Sequence, residues 1–160
     1  MKKLWLLLFV SALSIGSVIA KAGEMDDASA VVNVVSSFYG KYIRGDSGHE
    51  WRDWPEVDAL LGQNVDKLHE DAAKTEYGSL EYDPILMAQD IPVGLEYAKP
   101  VINGVSAELV VYGLWRGGAP KYPFCVRLTK KEKNWRITEI VNMEFPDKKK
   151  KCGGMRVMPK

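Results

Sequence analysis

The spacing of apolar positions changes along the chain, and each change marks an element. Leu4 to Ala20 is an apolar run broken only by small and hydroxyl residues. Beyond it, Val31, Val34, Val35, Phe38 and Tyr42 recur at steps of three and four, the repeat of a helix with one apolar face. Asp26 and Asp27 precede this stripe, where a helix N-terminus favours negative charge, and Arg44 with Gly45 closes it. Residues 46–54 form a polar loop that carries Trp51 and Trp54. Pro55 suits the first position of a short helix with Val57, Leu60 and Leu61 on its apolar side. Gly62 interrupts that helix, Asn64 caps a continuation, and Val65, Leu68 and Ala72 carry it to about Tyr77-Gly78.

From Val93 the period falls to two. Val93, Leu95 and Tyr97 alternate in a first strand, and Asn103-Gly104 marks a hairpin. Val105, Ala107, Leu109, Val111, Gly113 and Trp115 alternate through a long second strand. Phe124, Val126 and Leu128 give a third, and Trp135, Ile137, Val141 and Met143 line a fourth. Helices first and strands afterwards describe an α+β domain: N-terminal helices packed on one face of a curved, four-stranded antiparallel sheet.

Composition narrows the class. With 46% apolar and 27% charged residues in 160, the chain is neither disordered, collagenous nor a polytopic membrane protein, and its length fits one domain. Met1-Lys2-Lys3, the apolar run and the small-x-small triplet Ala20-Lys21-Ala22 read together as a cleavable signal peptide over 1–22. The expectation is export to the periplasm as a soluble chain from about Gly23, with no stable membrane anchor after cleavage, since no Cys stands near the cleavage point to accept a lipid. A retained signal anchor is the alternative, because a run of about 17 residues is at the short limit of a membrane span.

Charge is unevenly spread. The body, 23–146, holds 13 basic and 20 acidic residues, and the tail, 147–160, has a net charge of +5 through Lys148, Lys149, Lys150, Lys151, Arg156 and Lys160. An acidic body repels phosphate and argues against nucleic acid; it suits a basic protein partner, the alternative being a negative surface that only keeps the protein in solution. Cys125 and Cys152, in a chain routed to an oxidising compartment, are expected to form a disulfide tying the basic tail back to the sheet, with two free thiols as the alternative.

Templates for catalysis fail in turn. His49 and His69 have no ligand partners at metal spacing, so neither a metal site nor a cofactor is expected. There is no nucleophile elbow, phosphate loop or dinucleotide fingerprint. Asp83 and Asp90, with Tyr82 near, offer carboxylates for cavity acid–base work. Against that, Asp83-Pro84 reads as a helix N-cap followed by proline at the first helical position, and Asp90 before Ile91-Pro92 reads as a turn initiator. Trp51 and Trp54, flanked by Glu50, Asp53 and Glu56, have the composition of an interface anchor with complementary charge; the alternative is a lid folded over the core. A pocket in the mouth of the cone, lined by Tyr82, Asp90, Trp115 and Trp135, is the small-ligand alternative.

Three segments carry a resemblance. Phe38-Tyr39-Gly40-Lys41-Tyr42, the run Asp83-Pro84-Ile85-Leu86-Met87-Ala88-Gln89-Asp90-Ile91-Pro92 and Trp135-Arg136-Ile137 resemble a family of small exported bacterial proteins of unassigned function. The element order is similar to the nuclear-transport-factor-like, or cystatin-like, cone. The resemblance spans about residues 28–144 and implies a periplasmic, non-enzymatic domain. Some members are lipoproteins, from which this chain departs. Related small exported folds serve as immunity proteins against secreted toxins, so the expected role is binding and neutralising a toxin, with Glu50, Trp51, Asp53, Trp54 and Glu56 at the contact. Ketosteroid-isomerase relatives of the cone are enzymes, but no motif here carries their residues across. Cone domains also pair through the sheet, which leaves a homodimer open.

Overall fold

The apolar stripe from Val31 to Tyr42 winds into a helix, α1 (Gly16–Ile43), in a computed structural model that describes residues 16–45, 49–117, 122–143 and 152. Val31, Val35, Phe38 and Tyr39 are fully buried, each large side chain contributing roughly 1.5–3 kcal/mol by leaving water. The helix starts earlier than its acidic pair suggests, so Asp27 lies inside α1 and not in its first turn. Its carboxylate accepts from Lys130 Nζ and, at 3.4 Å, from Trp135 Nε1. Most of the signal-peptide segment and the basic tail, apart from Cys152, lie outside the described residues.

Pro55 starts no helix. Instead Val57 forms a parallel bridge to Ile137: Ile137 N–H donates to Glu56 O (2.7 Å) and Asp58 N–H to Ile137 O (2.9 Å). Asp58 then caps α2 (Ala59–Ala73), its side chain accepting from Leu60 N–H. Gly62 lies within α2, which runs without a break until Lys74 ends it. The long-range bridge outcompetes the local proline signal because it pairs Glu56 O and Asp58 N–H with the outward backbone groups of Ile137, which the edge strand β5 would otherwise leave open.

Five strands follow: β1 (Gly94–Tyr97), β2 (Val101–Asn103), β3 (Ser106–Leu114), β4 (Tyr122–Lys131) and β5 (Asn134–Asn142). All pairs are antiparallel, in the order β1-β3-β4-β5, with β2 also on β3. The expected first strand is two, because Pro100 has no N–H for the ladder. Tyr97 pairs with Val111 and Val101 with Glu108, so an extra residue is absorbed around Lys99-Pro100. The hairpin lies where Asn103-Gly104 predicts, with Gly104 at φ 58°, a left-handed conformation that glycine adopts without strain. Both helices pack on one face of the sheet, so the α+β architecture is as the sequence predicts.

A second irregularity decides which side chains enter the core. Arg127 pairs with Glu139 but Leu128 with Ile137, so Thr138 is the extra residue of a bulge. Its hydroxyl donates to Arg127 O (3.2 Å), and its own carbonyl accepts from Asn64 Nδ2 (3.1 Å). The slip resets the alternation: Trp135 and Ile137 face the helices before it, and Ile140 opposite Val126 does so after it. Val141 and Met143, expected on the core face, pack on the opposite face with Val110, Cys125 and Cys152. The Cys125–Cys152 disulfide is formed, with Cα atoms 5.9 Å apart.

Candidate functional site

The motif segments meet one another. Tyr39 Oη donates to Ile85 O (3.0 Å) and Tyr42 Oη to Asp83 Oδ2 (2.8 Å), while Asp83 Oδ1 accepts from Ile85 N–H (2.7 Å) and Leu86 N–H (3.1 Å). Asp83 N–H donates to Ala88 O (2.9 Å) and closes the segment as a turn. The capping bonds expected of Asp83 are thus present, but no helix follows them; Met87 takes a positive φ of 51°, which ends helical geometry. Burial, then the adjacent Asp83 carboxylate, pushes the Tyr42 phenol well above the ordinary tyrosine range, so it remains a neutral donor. Asp83 spends both oxygens on holding this turn against α1, and Asp90 is exposed.

The segment expected to bind a partner divides. A 3-10 helix, His49–Asp53, turns Trp51 inward to 7% exposure within the core, with Arg52 Cζ 4.9 Å over its ring. Trp54 is partly buried against Phe38 (ring centroids 5.7 Å apart) beneath the Lys41 ammonium, 4.6 Å from the ring. Trp51 thus sits in the core with little exposed surface, whereas Trp54 keeps part of its ring open. Glu56 turns back to α1, accepting from Ser37 Oγ and Lys41 Nζ, both at 2.7 Å. Asp53 is exposed; the side chain of Glu50 lies outside the described residues.

Three carboxylates share this clamping role. Burial pushes the Glu56 carboxyl up, but hydrogen bonds from Lys41 and Ser37 outweigh it and hold it below its ordinary range. A hydrogen bond from Lys130 lowers Asp27, and one from Lys131 lowers Asp58. A carboxyl depressed in the folded chain stabilises above its unfolded pKa of about 4 and loses that contribution as pH falls through the folded value. The expected urea midpoint is therefore flat from about pH 7 to 5 and falls below about pH 4. Glu56→Gln should flatten part of that fall; an unaltered pH profile in the variant would remove Glu56 from the clamp.

The four residues expected to line one pocket are dispersed. Trp135 opposes Lys130, whose N–H donates to Val105 O, whereas Trp115 lies beyond the far end of β3. Ten residues separate Val105 from Trp115, at either end of β3, roughly 34 Å at about 3.4 Å per residue. Trp135 is 3% exposed in the core, with Lys130 Nζ 5.5 Å over its ring. Asp90 and Trp115 do share an open groove of about 690 Å³ with Ile43, Pro92 and Arg116, but Tyr82 and Trp135 are not part of it. The only acid–cysteine cluster at ligand spacing among the described residues, Glu108 with Cys125 and Cys152, has its sulfurs committed to the disulfide.

A second groove, about 520 Å³, runs between α2 and the 83–88 turn. Its floor is Trp51, Val65 and Ile85; Tyr42 and Pro84 stand on one side, and Arg52, Asp66, His69 and Glu70 on the other. Arg52 donates twice to Asp66, Nη1 to Oδ2 at 3.2 Å and Nη2 to Oδ1 at 2.6 Å. It lies flat on α2 because Gly62 leaves room: a Cβ there would fall 2.7 Å from Arg52 Nη1. Gly62, read from the sequence as an interruption, is the signal that a side chain from elsewhere crosses the helix at that point.

No protein-family model matches the chain, and no curated protein matches it in sequence. Among solved structures, a chain of the native type VI effector–immunity complex Tae3–Tai3 from Ralstonia pickettii is similar, with a TM-score of 0.50 and 20% identity over 71% of this chain and 96% of that one. The selenomethionine form of the complex gives a TM-score of 0.47 and 19% identity, over 69% of this chain and 94% of that one. At this identity the likeness is one of fold.

Proposed function

We propose that the protein is a periplasmic, non-enzymatic binding domain of the immunity type, which neutralises a secreted bacterial effector by occupying it. The observation that carries the reading is the fold shared with nearly the whole of a chain taken from an effector–immunity complex. The leader expected over 1–22 and the acidic body support it, the first by routing the chain to the envelope and the second by favouring a basic protein partner. The small-ligand alternative has less support, because its four lining residues do not converge.

A competition experiment tests this. Recipient cells lacking the chain are mixed with sister cells whose type VI secretion is active or disabled. Recipients should lose survival only against the active attackers, and the full chain should restore it. A chain without residues 1–22 should not, since it would be confined to the cytoplasm. Equal survival against both attackers would overturn the reading.

A further inference from the structure

The stretch from Glu50 to Asp90 contains eleven acidic residues and three basic ones, a net charge of −8. Three of the acids are turned inward: Glu56 to Lys41, Asp58 to Lys131 and Asp83 to Tyr42. Asp53, Asp66, Glu70, Asp71, Glu76, Glu81 and Asp90 are exposed, and only Asp66 and Asp71 of these have ion-pair partners among the described residues, Arg52 and Lys74. The groove along α2 opens within this field. Asp66 and Glu70 are one turn apart on the same side of it, above the apolar floor. The protein's own Arg52 shows what chemistry the groove receives: its guanidinium stacks on Trp51 and forks onto Asp66. Glu70, beside that pair, has no cation of its own among the described residues.

Resting on the immunity reading, we infer that this groove is the docking point for the partner protein and that it receives a lysine or arginine side chain. The apolar stem would lie along Val65 and Pro84, and the cationic head would sit between Asp66 and Glu70. Long basic side chains divide in this way between an apolar wall and a charged rim. The surrounding negative field would draw a basic surface in and orient it before contact. The docking surface is therefore centred on the α2 face, with Trp51 contributing only to the groove's floor.

The probe is the capped tripeptide acetyl-Gly-Arg-Gly-amide, titrated into the isotope-labelled full chain and followed by amide and indole NMR shifts. Its counterpart with citrulline in place of arginine has the same shape without the charge. Saturable shifts are expected over Val65–Glu70 and at the Trp51 indole, with citrulline about tenfold weaker, equivalent to roughly 1.4 kcal/mol. Shifts centred on the Asp90–Trp115 groove, equal responses to both peptides, or a flat titration would each overturn the inference. The competition experiment separates this failure from that of the function. Glu70→Lys, on an exposed position, should abolish protection while Glu132→Lys on the distant β4–β5 turn preserves it. Protection by both variants would discard the groove and leave the immunity reading standing, whereas no protection by the unaltered chain would discard that reading.

Discussion

Trp51→Ala is expected to lower the unfolding free energy by about 3–5 kcal/mol, as truncation of a buried large aromatic does when the cavity cannot close. The ring is 7% exposed and belongs to the same core cluster as Phe38, Leu61, Val65 and Ile85, so its loss opens a void where the 3-10 helix, α2 and the 83–88 turn meet. It also removes the platform for Arg52, whose fork onto Asp66 then has to hold a guanidinium without its stacking surface. Trp54→Ala should cost less, about 1–3 kcal/mol, because that ring is only partly buried and loses mainly its edge contact with Phe38 and the Lys41 ammonium. Urea unfolding followed by far-ultraviolet circular dichroism measures both without relying on tryptophan emission. The order of the two variants is the decisive result: equal, small losses would mean that Trp51 is an exposed contact residue. Any loss of partner binding in Trp51→Ala must therefore be read beside its stability, whereas Glu70→Lys alters the surface alone.

What the sequence made legible follows the range of the interactions concerned. The α1 stripe and the alternation of β3 and β4 are local periodicities, and each gave the right face: Val31, Val35 and Phe38 on one, Leu109, Val111 and Val126 on the other. The elements misread are those set by distant partners. Pro55 has good helix-start chemistry, yet Glu56 and Asp58 bond to Ile137, some eighty residues away. Asp83 keeps its capping bonds without a helix because Tyr42 and Ala88 close the segment from both sides. The bulge at Thr138 shows in the sequence only as a break in alternation, with Glu139 where an apolar residue is due and Ile140 apolar out of phase, and it moves Val141 from the core to the disulfide side. The split at Pro100, by contrast, was signalled by the proline itself.

The site divides in the same way. Net negative charge is additive and can be read from composition, so the acidic field of the 50–90 stretch was available from the sequence. The groove was not, since it depends on Arg52 crossing α2 at Gly62 and on the turn at Pro84 facing Val65. Charged neighbours around Trp51 and Trp54 suggested exposure, but Arg52 and Lys41 instead cover those rings from outside. A polar flank of a tryptophan is compatible with either arrangement; only the packing distinguishes them.

Removing the disulfide, as Cys125→Ala with Cys152→Ala, is expected to cost about 3–4 kcal/mol on the chain-entropy account for a closed loop of this length. The two cysteines are 27 apart in sequence, so the bond holds a long segment against unfolding. Both are buried, 0% and 3% exposed, and with Val110, Val141 and Met143 they form a small cluster on the sheet face away from the helices. Beside it, Arg127 pairs with Glu108 at 2.9 Å and Glu139 at 2.7 Å across three strands, and loss of the cover would admit water to these partly exposed bonds. The urea midpoint should fall, and the dependence on urea should steepen, because the uncrosslinked unfolded chain exposes more surface. A midpoint that moves without that steepening would mean that the cost lies in the folded cluster and not in the chain entropy. The same bond gives an independent test of export. Chain recovered from the envelope should be oxidised and match the intact protein in stability. Chain made without residues 1–22 should be reduced by cytoplasmic thiols and match the double alanine variant. Full oxidation in both would separate the disulfide from the compartment and remove it as support for a periplasmic site of action.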